Sequence, residues 1–213
     1  MRQSVRKKIY PVRNPIHYLA NRILLRLYQA SVVDTYGEIP ISTLRKGGDQ
    51  FVGILKHSLR LIEENDPRRF ARVVRHVDLF VDCSHPGGAY SASYRHLINV
   101  VEIDFEYCEE RGDSLFHAGY YAGVIVHEAT HGKIRKFGID TIRENRVQVE
   151  RICRSEENRF LNRLNAIRPD LGNRLKRPFN PEDWHGHWHS SRLTRALRQM
   201  RRAKEKDKET SAQ

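Results

Sequence analysis

The chain has 213 residues, of which 39% are hydrophobic and 30% charged, and a formal net charge of +12 from 38 Lys and Arg against 26 Asp and Glu. That length suits one domain with a real core, and the composition excludes a chain disordered throughout. No apolar run approaches the roughly 20 residues of a membrane-spanning helix, and Cys83, Cys108 and Cys153 are too few and scattered for a disulfide framework or a CxxC zinc site.

Residues 1–13 read as a basic arm (Arg2, Arg6, Lys7, Lys8) without the apolar segment of a signal peptide. A cytoplasmic setting is expected. Asn14 or Pro15 can start a helix in which Ile16, Leu19, Ile23, Leu27 and Ala30 recur every three or four residues, ending before Gly37. A second helix is predicted from Phe51 to Glu64. Asp66-Pro67 starts a third, with Asp66 as N-cap and Pro67 at the first helical position. The first two helices are expected to cover the core.

The period then changes. His76 to Cys83 is strand-like, and Ser84-His85-Pro86-Gly87-Gly88 reads as a loop. In Ile98 to Tyr107, Val101, Ile103, Phe105 and Tyr107 alternate with Glu102, Asp104 and Glu106, giving a strand with one apolar and one anionic face. Helical patterns return at about Leu115–Lys136 and Thr141–Ile167. A basic helix is predicted at Ser191–Lys204, before a disordered end. The domain limits are therefore 14–190, with the arm 1–13 before it and a basic tail 191–213 after it. The fold class is α+β, mainly helical, with a small β-sheet beside the motif helix described next.

His127-Glu128-Ala129-Thr130-His131 is an H-E-x-x-H. On a helix, positions i and i+4 share a face, so both imidazoles can reach one metal. Glu128 adjoins the first histidine, where it can accept a proton from a metal-bound water. Shuffling 11 histidines and 15 glutamates over this length yields roughly 0.04 such motifs by chance. The motif also follows the apolar run Tyr120 to Val126, which would bury it.

A catalytic zinc needs a third protein ligand. The extended pattern H-E-x-x-H-x-x-G-x-x-H fails, because Ile134 and Phe137 stand at its last two defined positions. On the next helix, Ile142, Val149, Cys153, Phe160 and Leu164 share one face. Glu144 lies opposite and matches a capping box with Thr141. Glu150, Glu156 and Glu157 flank the apolar face. Glu150 is nearest the motif in sequence, and Asp140, in the intervening turn, is a second option.

This pattern resembles the zincin superfamily of zinc metallopeptidases, especially the gluzincins, over about Ile98 to Phe160. The resemblance implies Zn2+ held by His127, His131 and Glu150, with Glu128 as general base in peptide-bond hydrolysis. It also implies an edge strand lining the substrate groove, a place that Ile98–Tyr107 would fill. The fuller signature N-E-x-x-S-D is absent, since Val149-Glu150-Arg151-Ile152-Cys153-Arg154 stands there.

Other clusters carry less. Trp184-His185-Gly186-His187-Trp188-His189 could hold a second metal or cover the site, but a packing loop is expected. Tyr120 and Tyr121 could assist an oxyanion, but core packing is expected. His85 reads as a solvated loop histidine. The positive field favours polyanions, including nucleic acid and anionic lipid. With no base-reading module, polyanion binding should be salt-sensitive and indifferent to sequence. The expected function is a zinc-dependent metallopeptidase acting on a protein or peptide. A non-catalytic metal-binding or nucleic-acid-associated protein on the same fold is the alternative.

Overall fold

The computed structural model describes residues 15–45, 48–83, 92–105, 114–138, 145–169 and Leu175. Among them, five strands are β1 (Val32–Tyr36), β2 (Ile39–Thr43), β3 (Leu79–Asp82), β4 (Ala92–Arg95) and β5 (Val100–Ile103). Five helices are α1 (Pro15–Ala30), α2 (Asp49–Asn65), α3 (Pro67–His76), α4 (Ser114–Lys136) and α5 (Arg146–Ile167). The fold is α+β and mostly helical, with one mixed sheet in the order β1-β2-β3-β5-β4. Strands β2, β3 and β5 run parallel, while β1 and β4 are antiparallel to their neighbours.

Side-chain alternation along the strands divides the core in two. Phe80, Val101 and Ile103 point toward the layer of α2, α3, α4 and α5. Leu79, Val81 and Val100 point the other way, onto Leu24, Leu25 and Tyr28 of α1. Each such side chain, once fully buried, stabilises the fold by about 1.5–3 kcal/mol.

Helix α1 does cover the sheet, but not with the expected row. Ile16, Leu19, Ile23 and Leu27 are exposed, and Asn21 and Tyr28 are buried instead. A polar contact fixes this rotation. The Tyr28 hydroxyl donates to Glu102 Oε1 at 2.6 Å, and Arg95 Nε and Ser93 Oγ reach the same carboxylate at 2.5 and 3.2 Å. A buried carboxylate needs such partners. Turning α1 to bury its outer row would remove Tyr28 from Glu102. The anionic side of β5 is therefore covered by α1 at Glu102 and is not a solvated face.

Strand limits also differ from expectation. The segment Ile98–Tyr107 is a strand only over Val100–Ile103, because Ile98 and Asn99 form the turn from β4 and Asn99 has φ 53°. It lies inside the sheet, between β3 and β4, and the edge strand on that side is β4. The hairpin β1–β2 closes on Gly37-Glu38, with Gly37 at φ 57° and Tyr36 opposite Ile39. Two-residue hairpin turns call for such a left-handed residue. Helix α3 starts as expected: Pro67 is at its first turn, and the Asp66 side chain accepts from Arg69 N at 3.2 Å. Helix α5 starts at Arg146 with Asn145 at the N-cap position.

Several sequence expectations fall outside the described residues. They are the arm 1–13, the His85 loop, Cys108, Asp140, the Thr141–Glu144 cap, the Trp184–His189 cluster and the tail 191–213. Among the described residues, Cys83 and Cys153 are free, and no helix is long and apolar enough to cross a membrane.

Two glycines let α4 pack closely on both sides. A Cβ on Gly123 would sit 3.3 Å from Leu161 of α5. A Cβ on Gly132 would sit 2.7 Å from the Tyr94 hydroxyl of β4 and 2.8 Å from His76 Cβ of α3. Helix α4 is thereby held against α5 one turn before the motif and against α3 and β4 just beyond it.

Candidate metal centre

The H-E-x-x-H lies in the second half of α4, where the apolar run Tyr120 to Val126 draws the helix into the core. His127 and Glu128 are buried, and His131 is nearly so. Thr130, at a variable motif position, ties the helix to α3. Its hydroxyl donates to the Val126 carbonyl at 2.7 Å and accepts from Arg72 Nη1 at 3.0 Å.

Helix α5 runs antiparallel to α4 and brings Glu150 to both histidines. Glu150 Oε2 lies 3.2 Å from His127 Nε2 and 3.5 Å from His131 Nε2. The two imidazole centroids are 5.1 Å apart. Nitrogen and oxygen donors set tetrahedrally about 2.0–2.2 Å from one centre stand about 3.3–3.6 Å apart. The Glu150 oxygen thus stands at nearly ligand-to-ligand spacing from each imidazole nitrogen. Of the four expected site residues, His127, His131 and Glu150 converge through their donor atoms, and Glu128 is buried beside them. Asp140 lies outside the described residues.

The sequence reading left Glu157 as a flanking residue, and here it takes a specific part. Its Oε2 lies 3.0 Å from His127 Nδ1 and accepts from Arg154 Nη1 at 2.6 Å. Since an ionised carboxylate only accepts, the Nδ1–H donates to it. Metal-binding imidazoles commonly have such a carboxylate partner, which fixes the tautomer. In a neutral ring Nε2 would turn a lone pair on Glu150 Oε2 at 3.2 Å, so either a proton on Nε2 or a metal ion must stand between them. The available signal was spacing: Glu157 follows Glu150 by seven residues, two helical turns along the same face.

Electrostatics point the same way. Burial opposes charge on His127, but hydrogen bonds to Glu150 and Glu157 and the nearby Glu128 outweigh it and raise its pKa to about 10. Burial likewise opposes ionisation of Glu150, yet His127 and His131 hold it well below the usual carboxylate range. Burial raises Glu128, and the Glu150 and Glu157 carboxylates add to this against the opposing pull of the histidines. Three carboxylates in a buried cluster call for positive charge. A proton on His127 supplies some of it, and a divalent ion could replace that proton.

Cys153 is a further donor, one turn beyond Glu150. Donor atoms of His127, His131 and Cys153 lie within 4.8 Å of one another. Glu150 Oε2 lies 3.2 and 3.5 Å from the Nε2 atoms of the two rings, whereas in the metal-free site burial and the neighbouring carboxylates push the Cys153 thiol up. Cys153 also packs with Ile134 and Val149 in a small apolar cluster.

The tyrosines act in the core. The Tyr121 hydroxyl donates to the Phe105 carbonyl at 3.0 Å, and Tyr120 packs edge-on against the Tyr121 ring. Comparison with family models, curated proteins and solved structures finds no match to this chain.

Proposed function

We propose that this chain is a zinc-dependent metallopeptidase with a zincin-like, gluzincin-type site. One observation carries the reading: a single Glu150 oxygen lies 3.2 and 3.5 Å from the Nε2 atoms of His127 and His131, while Glu157 occupies the other nitrogen of His127. His127, His131 and Glu150 would hold the ion, with Glu157 orienting His127. When bound, zinc supplies Lewis-acid activation of a water and of the scissile carbonyl. Glu128 takes a proton from the attacking water on its carboxylate and passes it to the leaving nitrogen. Burial raises its pKa and so favours proton uptake by this carboxylate. The edge strand β4 approaches the motif helix through Tyr94 and Gly132, and its outer edge offers backbone groups to an extended peptide.

The reading is tested with zinc-loaded full-length protein and a mixed peptide library, scored by mass spectrometry for new termini. Cleavage should vanish on chelation and return with zinc. If zinc-loaded protein generates no new termini, the peptidase reading fails, and the metal-binding alternative takes its place.

The third ligand is tested separately. Glu150→Gln should weaken zinc binding by more than the about 10–100-fold that loss of an outer partner costs. Cys153→Ser should keep one zinc per chain, as measured by competition with a chromophoric chelator. The reverse pattern would assign the third position to the thiol.

A further inference from the structure

We propose that the outer face of α1 docks this protein onto a bilayer surface rich in anionic phospholipid. The inference is independent of whether the chain cleaves peptides. Ile16, Leu19, Ile23 and Leu27 are 79%, 59%, 53% and 58% exposed. They recur every three or four residues, so they form one stripe along a helix about 24 Å long. The opposite side of α1 is already committed to the sheet through Leu24, Leu25 and Tyr28. The stripe is therefore a second apolar face, and Val33, in the strand that follows the helix, is also exposed. A row of this kind on a protein surface marks an interaction site.

Charge selects the occupant. Arg22 and Arg26 lie beside the stripe and are exposed. The first acid in the sequence is Asp34, and seven cations precede it: Arg2, Arg6, Lys7, Lys8, Arg13, Arg22 and Arg26. More than half of the net charge of +12 is thus carried by the segment that contains α1. A second copy would bring arginines against arginines. The tail 191–213 is also basic, with eight cations from Arg192 to Lys208, and meets the same repulsion. An apolar stripe flanked by cations instead matches a helix lying in the plane of an anionic bilayer.

The orientation follows from the layers. Helix α1 lies on one face of the sheet, and α4 with the H-E-x-x-H lies on the other. Docking through α1 would hold the motif helix away from the lipid, facing the aqueous side.

The test is co-sedimentation of the full-length, zinc-loaded protein with vesicles of phosphatidylcholine alone or mixed with phosphatidylserine. Binding should require phosphatidylserine and weaken with salt. Removing both cations in Arg22→Gln/Arg26→Gln should lower affinity about thirtyfold. Ile23→Ser/Leu27→Ser should lower it at least about tenfold, with circular dichroism and zinc content unchanged because both side chains already face solvent. Equal binding to neutral vesicles, or a stripe variant that binds like wild type, would overturn the proposal. So would a wild-type dimer that ignores vesicles and becomes monomeric in the stripe variant, which would give the face to a second copy.

Discussion

Alanine at His127 or at His131 is expected to strip the chain of stoichiometric zinc, and the two variants should differ in stability. Each loses one of the two imidazole donors that both candidate ligand sets share, whether Glu150 or Cys153 is the third. His127, however, also contacts two buried carboxylates, Glu150 at 3.2 Å and Glu157 at 3.0 Å. His131 faces only Glu150 among these, at 3.5 Å. Removing one member of a buried charged pair costs about 3–5 kcal/mol. His127→Ala should therefore lower the denaturation midpoint of metal-free protein markedly, while His131→Ala should lower it much less. Metal analysis and chemical denaturation read the two effects separately. Retention of one zinc per chain by both variants would refute the assignment. Equal destabilisation would show that the Glu157 contact does not matter to the fold.

Glu128→Gln should keep the zinc and lose turnover. Glu128 adjoins the ligands without sharing their row, and neither histidine has it as a hydrogen-bonded anchor in the way His127 has Glu150 and Glu157. The amide preserves size but cannot take up the proton. A positioned base contributes about 10²–10⁴-fold, so the rate on any cleaved peptide should fall by that order at equal zinc content. Burial strengthens the expectation of an intact fold, because a neutral amide avoids the desolvation that raises the carboxyl pKa. Equal rates for wild type and variant would remove Glu128 from the chemistry.

The geometry of the candidate site was more legible than the fold around it. Two histidines four apart on a helix, and a glutamate on the following helix beside its apolar face, depend only on helical geometry. Sequence carries that geometry directly. Glu157 was less legible, because its part depends on which ring nitrogen of His127 faces it, and that is set by the approach of α4 to α5 at Gly123. The rotation of α1 was misread for a comparable reason. Its most regular apolar row, Ile16 to Leu27, stays outside because Tyr28 must meet Glu102, a partner 74 residues away. The hairpin β1–β2 had a local signal at Gly37-Glu38. Strand β4 had almost none, since Ala92-Ser93-Tyr94-Arg95 is a strand through its pairing with β5.

Gly132 has a consequence for recognising other chains of this kind. The residue after the second histidine lies between Tyr94 and the Cβ of His76, where even a methyl group would force α3 and the edge strand apart. Chains built on the same packing should therefore spell H-E-x-x-H-G, with two glutamates seven apart on the next helix. A chain that keeps the histidines but carries a larger residue after them must separate those elements differently, and it belongs to another architecture however similar its five motif letters look.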